Sequence, residues 1–377
     1  MNRLKSIDIA GWKSIRKTER PIELGPLNVL IGANGAGKSN LFSCLGMLRE
    51  LANQRLPLYV GRAGGADALL HYGSKRTQSI EARCRFEWNG FEAEHWVELV
   101  YAAPDSLYVD DNFAESLEGF SLEESLKTPA IDESPKISSR PQSKFTHTFQ
   151  KGEYRKEFGS FLDSIRVYHV DDTSSTARIR LTNSLEDDLH LHGDGGNLVV
   201  MLYVYQRQFP RIYDRIVSTI RMILPGFDDF VLEPERLNPR KILLRWRRVG
   251  SDYIFGPHQL SDGSLRAMVL ITLLHQSKKD LPGILLLDEP EIGLHPHGIE
   301  MIAGLIRSAS LKTQVLVATQ SSSLLDHFAS EEILVVDCLD GESKFSRLSS
   351  NDLEDWLKRY SIGELWEKNV VGGGPLR

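Results

Sequence analysis

Residues Gly32, Ala33, Asn34, Gly35, Ala36, Gly37, Lys38 and Ser39 fit G-x-x-x-x-G-K-[ST] at every fixed position. The apolar run Leu27-Asn28-Val29-Leu30-Ile31 precedes them, and the helix-like Asn40-Leu41-Phe42-Ser43-Cys44-Leu45-Gly46-Met47-Leu48 follows. This strand–loop–helix order is the context the pattern requires, and it confines the chain to the α/β class. Glycines let the backbone curl until successive N–H groups face one anion. The helix that follows adds roughly half a positive charge at its N-terminus. In such a loop Lys38 serves the β and γ phosphates of a nucleotide, the Ser39 hydroxyl serves Mg²⁺, and Asn40 beside them is also expected at the nucleotide.

The chain has 377 residues, which predicts about two to three domain-sized units. Its hydrophobic content of 41% and charged content of 25% are those of a soluble globular protein. No apolar run approaches the ~20 residues that span a bilayer. Met1-Asn2-Arg3-Leu4-Lys5-Ser6 has no apolar core of a signal peptide. Cys44, Cys84 and Cys338 lie far apart and make neither a metal spacing nor a disulfide framework, so they read as small apolar fillers in a reducing, cytoplasmic setting. A net charge of −6 argues against a globally basic nucleic-acid binder but leaves room for a basic patch.

A second motif is Gly283-Ile284-Leu285-Leu286-Leu287-Asp288-Glu289-Pro290. A continuous apolar run predicts a strand buried on both faces of a parallel sheet. Acids at its C-terminal end sit where α/β folds place their ligands. Asp288 is expected to hold Mg²⁺ through water, and Glu289 to orient or deprotonate an attacking water.

A third motif is Gln259-Leu260-Ser261-Asp262-Gly263-Ser264-Leu265-Arg266, before an apolar helix and 27 residues ahead of Asp288. Here the sequence resembles the ATP-binding-cassette ATPases, whose signature is Leu-Ser-Gly-Gly before a helix. The same machinery occurs in SMC proteins, RecF and the overcoming-lysogenization-defect (OLD) nucleases. The resemblance implies that Ser261 and Gly263 meet the γ-phosphate of ATP held by a second copy. Asp262 departs from the usual glycine; an acid there must turn away or cap the helix. Gly293-Leu294-His295-Pro296 falls at the D-loop, which makes His295 a subunit-contact residue. The run Gln314–Thr319 reads as another buried strand, and Gln320 stands where the superfamily places a switch histidine. A Gln amide hydrogen-bonds but carries neither proton nor charge, so the hydrolysis rate is the open quantity.

The chain is most similar to a narrower group. Trp12-Lys13-Ser14-Ile15 is similar to the opening of RecF-like and SMC-like ATPases. Asp262–Arg266, Glu291–Pro296, Ala318–Ser321 and Gly363-Glu364-Leu365-Trp366 look like the bacterial AAA_21 (AAA_15/21) group of OLD-like ATPases. Only 57 residues follow Gln320, fewer than the ~100 of a typical domain, and the expectation is an ATPase without a TOPRIM nuclease.

The expected architecture is a P-loop NTPase with an ABC-type core. It has a mainly parallel central sheet, an N-terminal antiparallel β subdomain and a helical insertion. The expected divisions are 1–104 with the P-loop and β subdomain, 105–160 as an acidic insertion, 161–250 as a helical and β insertion, and 251–377 with the remaining motifs. Ile80, Ala82, Cys84, Phe86 and Trp88 alternate onto one strand face. Asp105 to Ser134 holds nine acids and one Lys. A strand from Ile165 to Asp171 delivers His169, Asp171 and Asp172 either to the nucleotide or into a turn. A helical stretch follows Asp194 and runs to Leu224, broken near Pro210. Arg236, Arg240, Lys241, Arg245, Arg247 and Arg248, with Trp246 among them, read either as a phosphate-tracking face or as a charged edge strand. Asp352–Tyr360 reads as an amphipathic helix, with Trp356 and Trp366 as core or partner anchors.

The reading is an ATPase that dimerises around ATP and Mg²⁺ and controls a nucleic acid or a separate effector protein such as a nuclease, in DNA repair or anti-phage defence. A non-hydrolysing ATP-dependent scaffold is the alternative. A transporter ATPase subunit is disfavoured by the roughly 220 residues between P-loop and signature, wider than a transporter cassette.

Overall fold

The computed structural model describes residues 2–88, 91–116 and 153–374. The chain divides into two compact units, each assembled from separate segments.

The first unit comprises 1–25, 40–165 and 337–345. Its sheet is ordered Ile15–Lys17, Arg3–Trp12, Ser79–Trp88, Phe91–Ala102, Ser106–Ser116, and Ile22–Glu23 also pairs with Arg3–Trp12. The long neighbours are antiparallel, as expected of an N-terminal β subdomain. Ile80, Ala82, Cys84 and Phe86 are all buried, the period-2 pattern of a half-buried strand; the Trp88 side chain lies outside the described residues. Phe86 stacks on Phe158 of the helix Glu153–Asp163 with centroids 4.1 Å apart. Burial pushes the Cys84 thiol up to about 12 and raises that of Cys44, so both stay protonated and act as apolar filler. The acidic stretch expected from residue 105 begins as sheet: Ser106–Ser116 pairs with Phe91–Ala102 along its whole length. The remainder of that stretch, 117–152, lies outside the described residues.

The second unit comprises 26–39, 166–336 and 346–377. The six-stranded sheet is ordered Glu342–Arg347, Ile333–Leu339, Leu27–Ile31, Gln314–Thr319, Ile284–Asp288, Ile165–Tyr168. Three successive pairings, from Ile333–Leu339 across to Ile284–Asp288, are parallel. Leu27–Ile31 and Gln314–Thr319 are buried at every residue. That is why their sequences are unbroken apolar runs rather than alternating ones. The helices Leu198–Gln208, Pro210–Ile223, Asp262–Leu274 and Pro296–Ser310 share one hydrophobic core with these strands. The break expected at Pro210 separates the first two; proline starts the second helix, where its missing N–H costs nothing.

The basic segment is not an edge strand. Trp246–Arg248 lies between Phe227–Phe230 and Ile254–Phe255, and Asn238–Ile242 is also the middle strand of three. Trp246 is buried and stacks on Phe227 and Phe255. Alternation puts Ile242, Leu244 and Trp246 inward and Arg247 outward; it stops at Arg248, which is exposed where the pairing with Phe227–Phe230 shifts register, and Arg247 lies 3.8 Å from Asp228. The C-terminal helix forms over Ser350–Leu357; its Trp356 is 46% exposed and packs on Tyr360. Among the described residues no helix is long and apolar enough to cross a membrane.

Candidate nucleotide site

The loop 32–39 is shaped by its glycines. Gly35 and Gly37 have φ of 79° and 113°, a region L-side chains rarely adopt. At Gly32 a Cβ would stand 2.3 Å from the Val336 carbonyl oxygen. The helix Lys38–Ala52 starts directly at the loop, and its first turn carries no acid to neutralise the exposed N–H groups. Lys38 is 5% exposed, and its Nζ donates to Gly32 O at 2.5 Å and Ala33 O at 3.1 Å. The ammonium therefore sits inside the curl of the loop. Burial lowers its pKa, opposed by Glu289, Asp288 and Glu291.

The parallel sheet brings the acids to the same end. Ser39 Oγ donates to Asp288 Oδ2 at 3.4 Å. Mg²⁺ takes hard oxygen donors and keeps several of its waters, so the Ser39 hydroxyl and the Asp288 carboxylate, the latter through water, would be the groups that hold it here. Burial raises the Asp288 pKa, and His169 opposes the rise. Glu289 has φ of 48°, held there while its N–H donates to Ala318 O at 2.8 Å. A non-glycine residue in that region stores of order 1–3 kcal/mol and occurs preferentially at functional sites. Gln320 leaves the adjacent strand, and its Nε2 donates to Glu289 Oε1. Lys38, Ser39, Asp288, Glu289 and Gln320 are thus one constellation built on three neighbouring strand ends.

The remaining expected residues have contacts of their own. Asn40, in the first unit, donates through Nδ2 to Ser14 Oγ at 2.6 Å, and its carbonyl accepts from Trp12 Nε1 at 2.8 Å. Ser261 caps the helix Asp262–Leu274 by accepting from Ser264 N. The cap is therefore Ser261 and not Asp262, whose carboxylate instead faces Arg180. Gly263 is in close contact with the D-loop position: a Cβ there would lie 2.0 Å from Gly293 O. His295 caps the helix Pro296–Ser310 through Nδ1, which accepts from His297 N. His169 reaches the acid strand, with Nδ1 3.3 Å from Asp288 O. Asp171 and Asp172 are exposed and close a turn, accepting from Asp172 N and Ser174 N respectively.

Three contributors have no role assigned by the motifs, although Arg266 and Glu291 lie within the runs Asp262–Arg266 and Glu291–Pro296. Arg180 is 6% exposed and grips Thr173 O, Pro257 O, Leu260 O and Asp262. Arg266 donates to Val170 O at 2.7 Å and Asp171 O at 3.1 Å, and lines a cavity of about 200 Å³ with His169, Asp288 and Glu289. Glu291, the third acid of Glu289-Pro290-Glu291, is buried and accepts from Thr319 Oγ1. Its cues in the sequence are its spacing from Glu289 and its place at the head of the run Glu291–Pro296.

A family profile described as "AAA domain, putative AbiEii toxin, Type IV TA system", AAA_21, matches residues 27–93 and 109–326, more than half of the chain. No curated protein matches the sequence. Among solved structures, an SMC head bound to the C-terminal winged-helix domain of ScpA is 17% identical, with a TM-score of 0.58 over 93% of this chain and 99% of that one. The Pyrococcus furiosus SMC head with an extended coiled coil, bound to the C-terminal domain of ScpA, is 18% identical with a TM-score of 0.56 over 95% and 99%. The Pyrococcus yayanosii SMC head with a coiled coil and joint is 14% identical, with a TM-score of 0.54 over 95% and 99%. At these identities the likeness is one of fold: the chain has the P-loop NTPase fold of SMC heads.

Proposed function

The chain belongs to the AAA_21 family, and from that premise we propose that it binds and hydrolyses ATP as a dimerising switch. The observation that carries this reading is the junction of the 32–39 loop with Asp288 and Glu289, made by Ser39 Oγ and Asp288 Oδ2 at 3.4 Å. The loop N–H groups and Lys38 bind the phosphates. Ser39 and Asp288 hold Mg²⁺, which when bound neutralises charge on the β and γ phosphates. Glu289 orients the attacking water and takes its proton. Gln320 holds Glu289 by an amide hydrogen bond and cannot itself accept the proton.

Ser261 and Gly263 of a second copy complete each site, since a capped helix start with free N–H groups is an anion site. ATP then favours the closed pair because it binds that state better than the open one. The load is a separate effector in DNA repair or anti-phage defence. The SMC heads solved with a bound ScpA domain support a protein partner on such a fold.

Two variants test the reading. Lys38→Ala should abolish ATP binding by calorimetry, and Glu289→Gln should run as an ATP-dependent dimer on gel filtration. Retained affinity in the first sinks the loop assignment; a second that stays monomeric with ATP and Mg²⁺ sinks the sandwich. The hydrogen bond of Gln320 to Glu289 favours one further reading, a non-hydrolysing scaffold. Steady turnover by pure protein that Glu289→Gln removes would exclude it.

A further inference from the structure

Glu291 has no part in the chemistry above, yet it is 8% exposed and carries a carboxylate into the interior. Its Oε1 accepts from Thr319 Oγ1, and Gln320 N lies 3.4 Å from the same oxygen. Its Oε2 is buried without a hydrogen-bond partner among the described residues. Burial raises the pKa of this carboxyl, opposed chiefly by the Thr319 hydrogen bond. A buried carboxyl that is half satisfied is costly, so its contacts are the place to look for its use.

Those contacts converge on one turn. Thr319 is fully buried; its Oγ1 donates to Glu291 and accepts from Ser321 N at 2.9 Å. Ser321 Oγ in turn accepts from Leu324 N, capping the short helix Ser322–Leu325. Gln320 is thus pinned on both sides, by a hydroxyl before it and a cap after it. The first anchor traces to Glu291, two positions from Glu289, while Glu289 N is bonded to Ala318 O on the same strand. The turn that carries Glu289 and the turn that carries Gln320 are stitched at 289–318 and again at 291–319. Between the stitches the Gln320 amide meets the Glu289 carboxylate.

We propose that Glu291 is a positioning residue: through Thr319 it fixes the turn that aims the Gln320 amide at Glu289. The inference rests on the reading of Glu289 as the base of an ATPase, and it makes the rate depend on a side chain that touches neither nucleotide nor water.

The test uses the full chain with Glu291→Ala, Glu291→Gln and Thr319→Val. The Gln320 side-chain amide is followed by ¹⁵N NMR and identified by its loss in Gln320→Ala. In the unsubstituted chain this amide should show one displaced, slowly exchanging proton. Glu291→Ala and Thr319→Val should return it to the values of a free amide. Glu291→Gln, which keeps an oxygen for Thr319 Oγ1, should retain most of the displacement. In parallel, kcat of Glu291→Ala should fall roughly tenfold to a hundredfold with ATP affinity within about threefold, and Glu291→Gln should recover most of that loss. An amide resonance unmoved by Glu291→Ala and by Thr319→Val overturns the inference, as does a loss of affinity equal to the loss of kcat. Absence of turnover in the unsubstituted chain would remove the ATPase reading instead, and the resonance would still decide the role of Glu291.

Discussion

Arg180 Nη2 donates to Asp262 Oδ1 at 2.8 Å across 82 residues of sequence. The guanidinium is almost wholly buried, and its other N–H groups hold the carbonyls of Thr173, Pro257 and Leu260. The carboxyl of Asp262 is held below its ordinary range by a hydrogen bond with Thr173 and then by Arg180. An acid at the third position of Leu260-Ser261-Asp262-Gly263 is thereby given a fixed cation. This is the physical reason the departure from glycine is tolerated.

Removing the arginine should therefore cost far more than removing the acid. Arg180→Ala strands three buried carbonyls, and urea unfolding should show a loss of about 3–4 kcal/mol. Asp262 is exposed, with water able to replace its partner, so Asp262→Asn should leave the urea midpoint nearly unchanged. Equal losses for the two would refute this division of labour.

A steric prediction concerns the contact between signature and D-loop. Gly263 lies against Gly293, and a methyl group at 263 would stand 2.0 Å from the Gly293 carbonyl oxygen. Gly263→Ala must push the two turns apart, at a cost of about 1–3 kcal/mol by overpacking. Gly304, in the exposed interior of the helix Pro296–Ser310, has nothing within 4 Å of the same methyl. Gly304→Ala should instead stabilise by about 0.5–1 kcal/mol through helix propensity. Thermal melts of the two variants should move in opposite directions.

The sequence displays those parts of the site that depend on local geometry. The 32–39 loop needs glycines at fixed offsets, and Asp288 and Glu289 end an apolar run, so both can be read from spacing alone. The parallel sheet follows from runs such as Leu27–Ile31, which have no polar alternation. Long-range contacts leave no such trace. Arg180 looks like any basic residue until the fold carries it to Asp262, and Glu291 looks like a second surface acid until Thr319 is beside it. The segment 245–248 misleads for a related reason. Alternation reports which residues point inward but not which strand is central, and Trp246–Arg248 proves to be flanked on both sides.

The Mg²⁺ reading has its own test. If Asp288 holds the ion through water, Asp288→Asn should raise the Mg²⁺ concentration that ATP hydrolysis needs by roughly tenfold to a hundredfold. ATP affinity measured with EDTA present should be unchanged, because the loop N–H groups and Lys38 remain. Titrating Mg²⁺ at fixed ATP separates the two quantities. Identical Mg²⁺ dependence in Asp288→Asn and the unsubstituted chain would exclude Asp288 from the metal site.

The last prediction concerns acid stability and uses His275, which follows the helix Asp262–Leu274. Thr219 Oγ1 donates to Arg215 O at 2.8 Å, so its contact with His275 Nε2 at 2.9 Å is one in which the imidazole donates. Burial lowers the His275 pKa from 6.5 to about 4, helped by the positive charges of Arg215 and Lys312. The folded chain therefore keeps this ring neutral in a range where the unfolded chain protonates it. Above pH 6.5 both states are neutral and the group has no effect on stability. As pH falls from 6.5 toward 4 the unfolded state takes up a proton that the folded state refuses, and stability declines. The loss should reach about 2 kcal/mol once solvent screening is allowed for. His275→Gln keeps a donor for Thr219 and does not titrate, so its melting temperature should fall less than that of the unsubstituted chain between pH 7 and pH 5. Parallel pH profiles for the two would place the acid sensitivity elsewhere in the molecule.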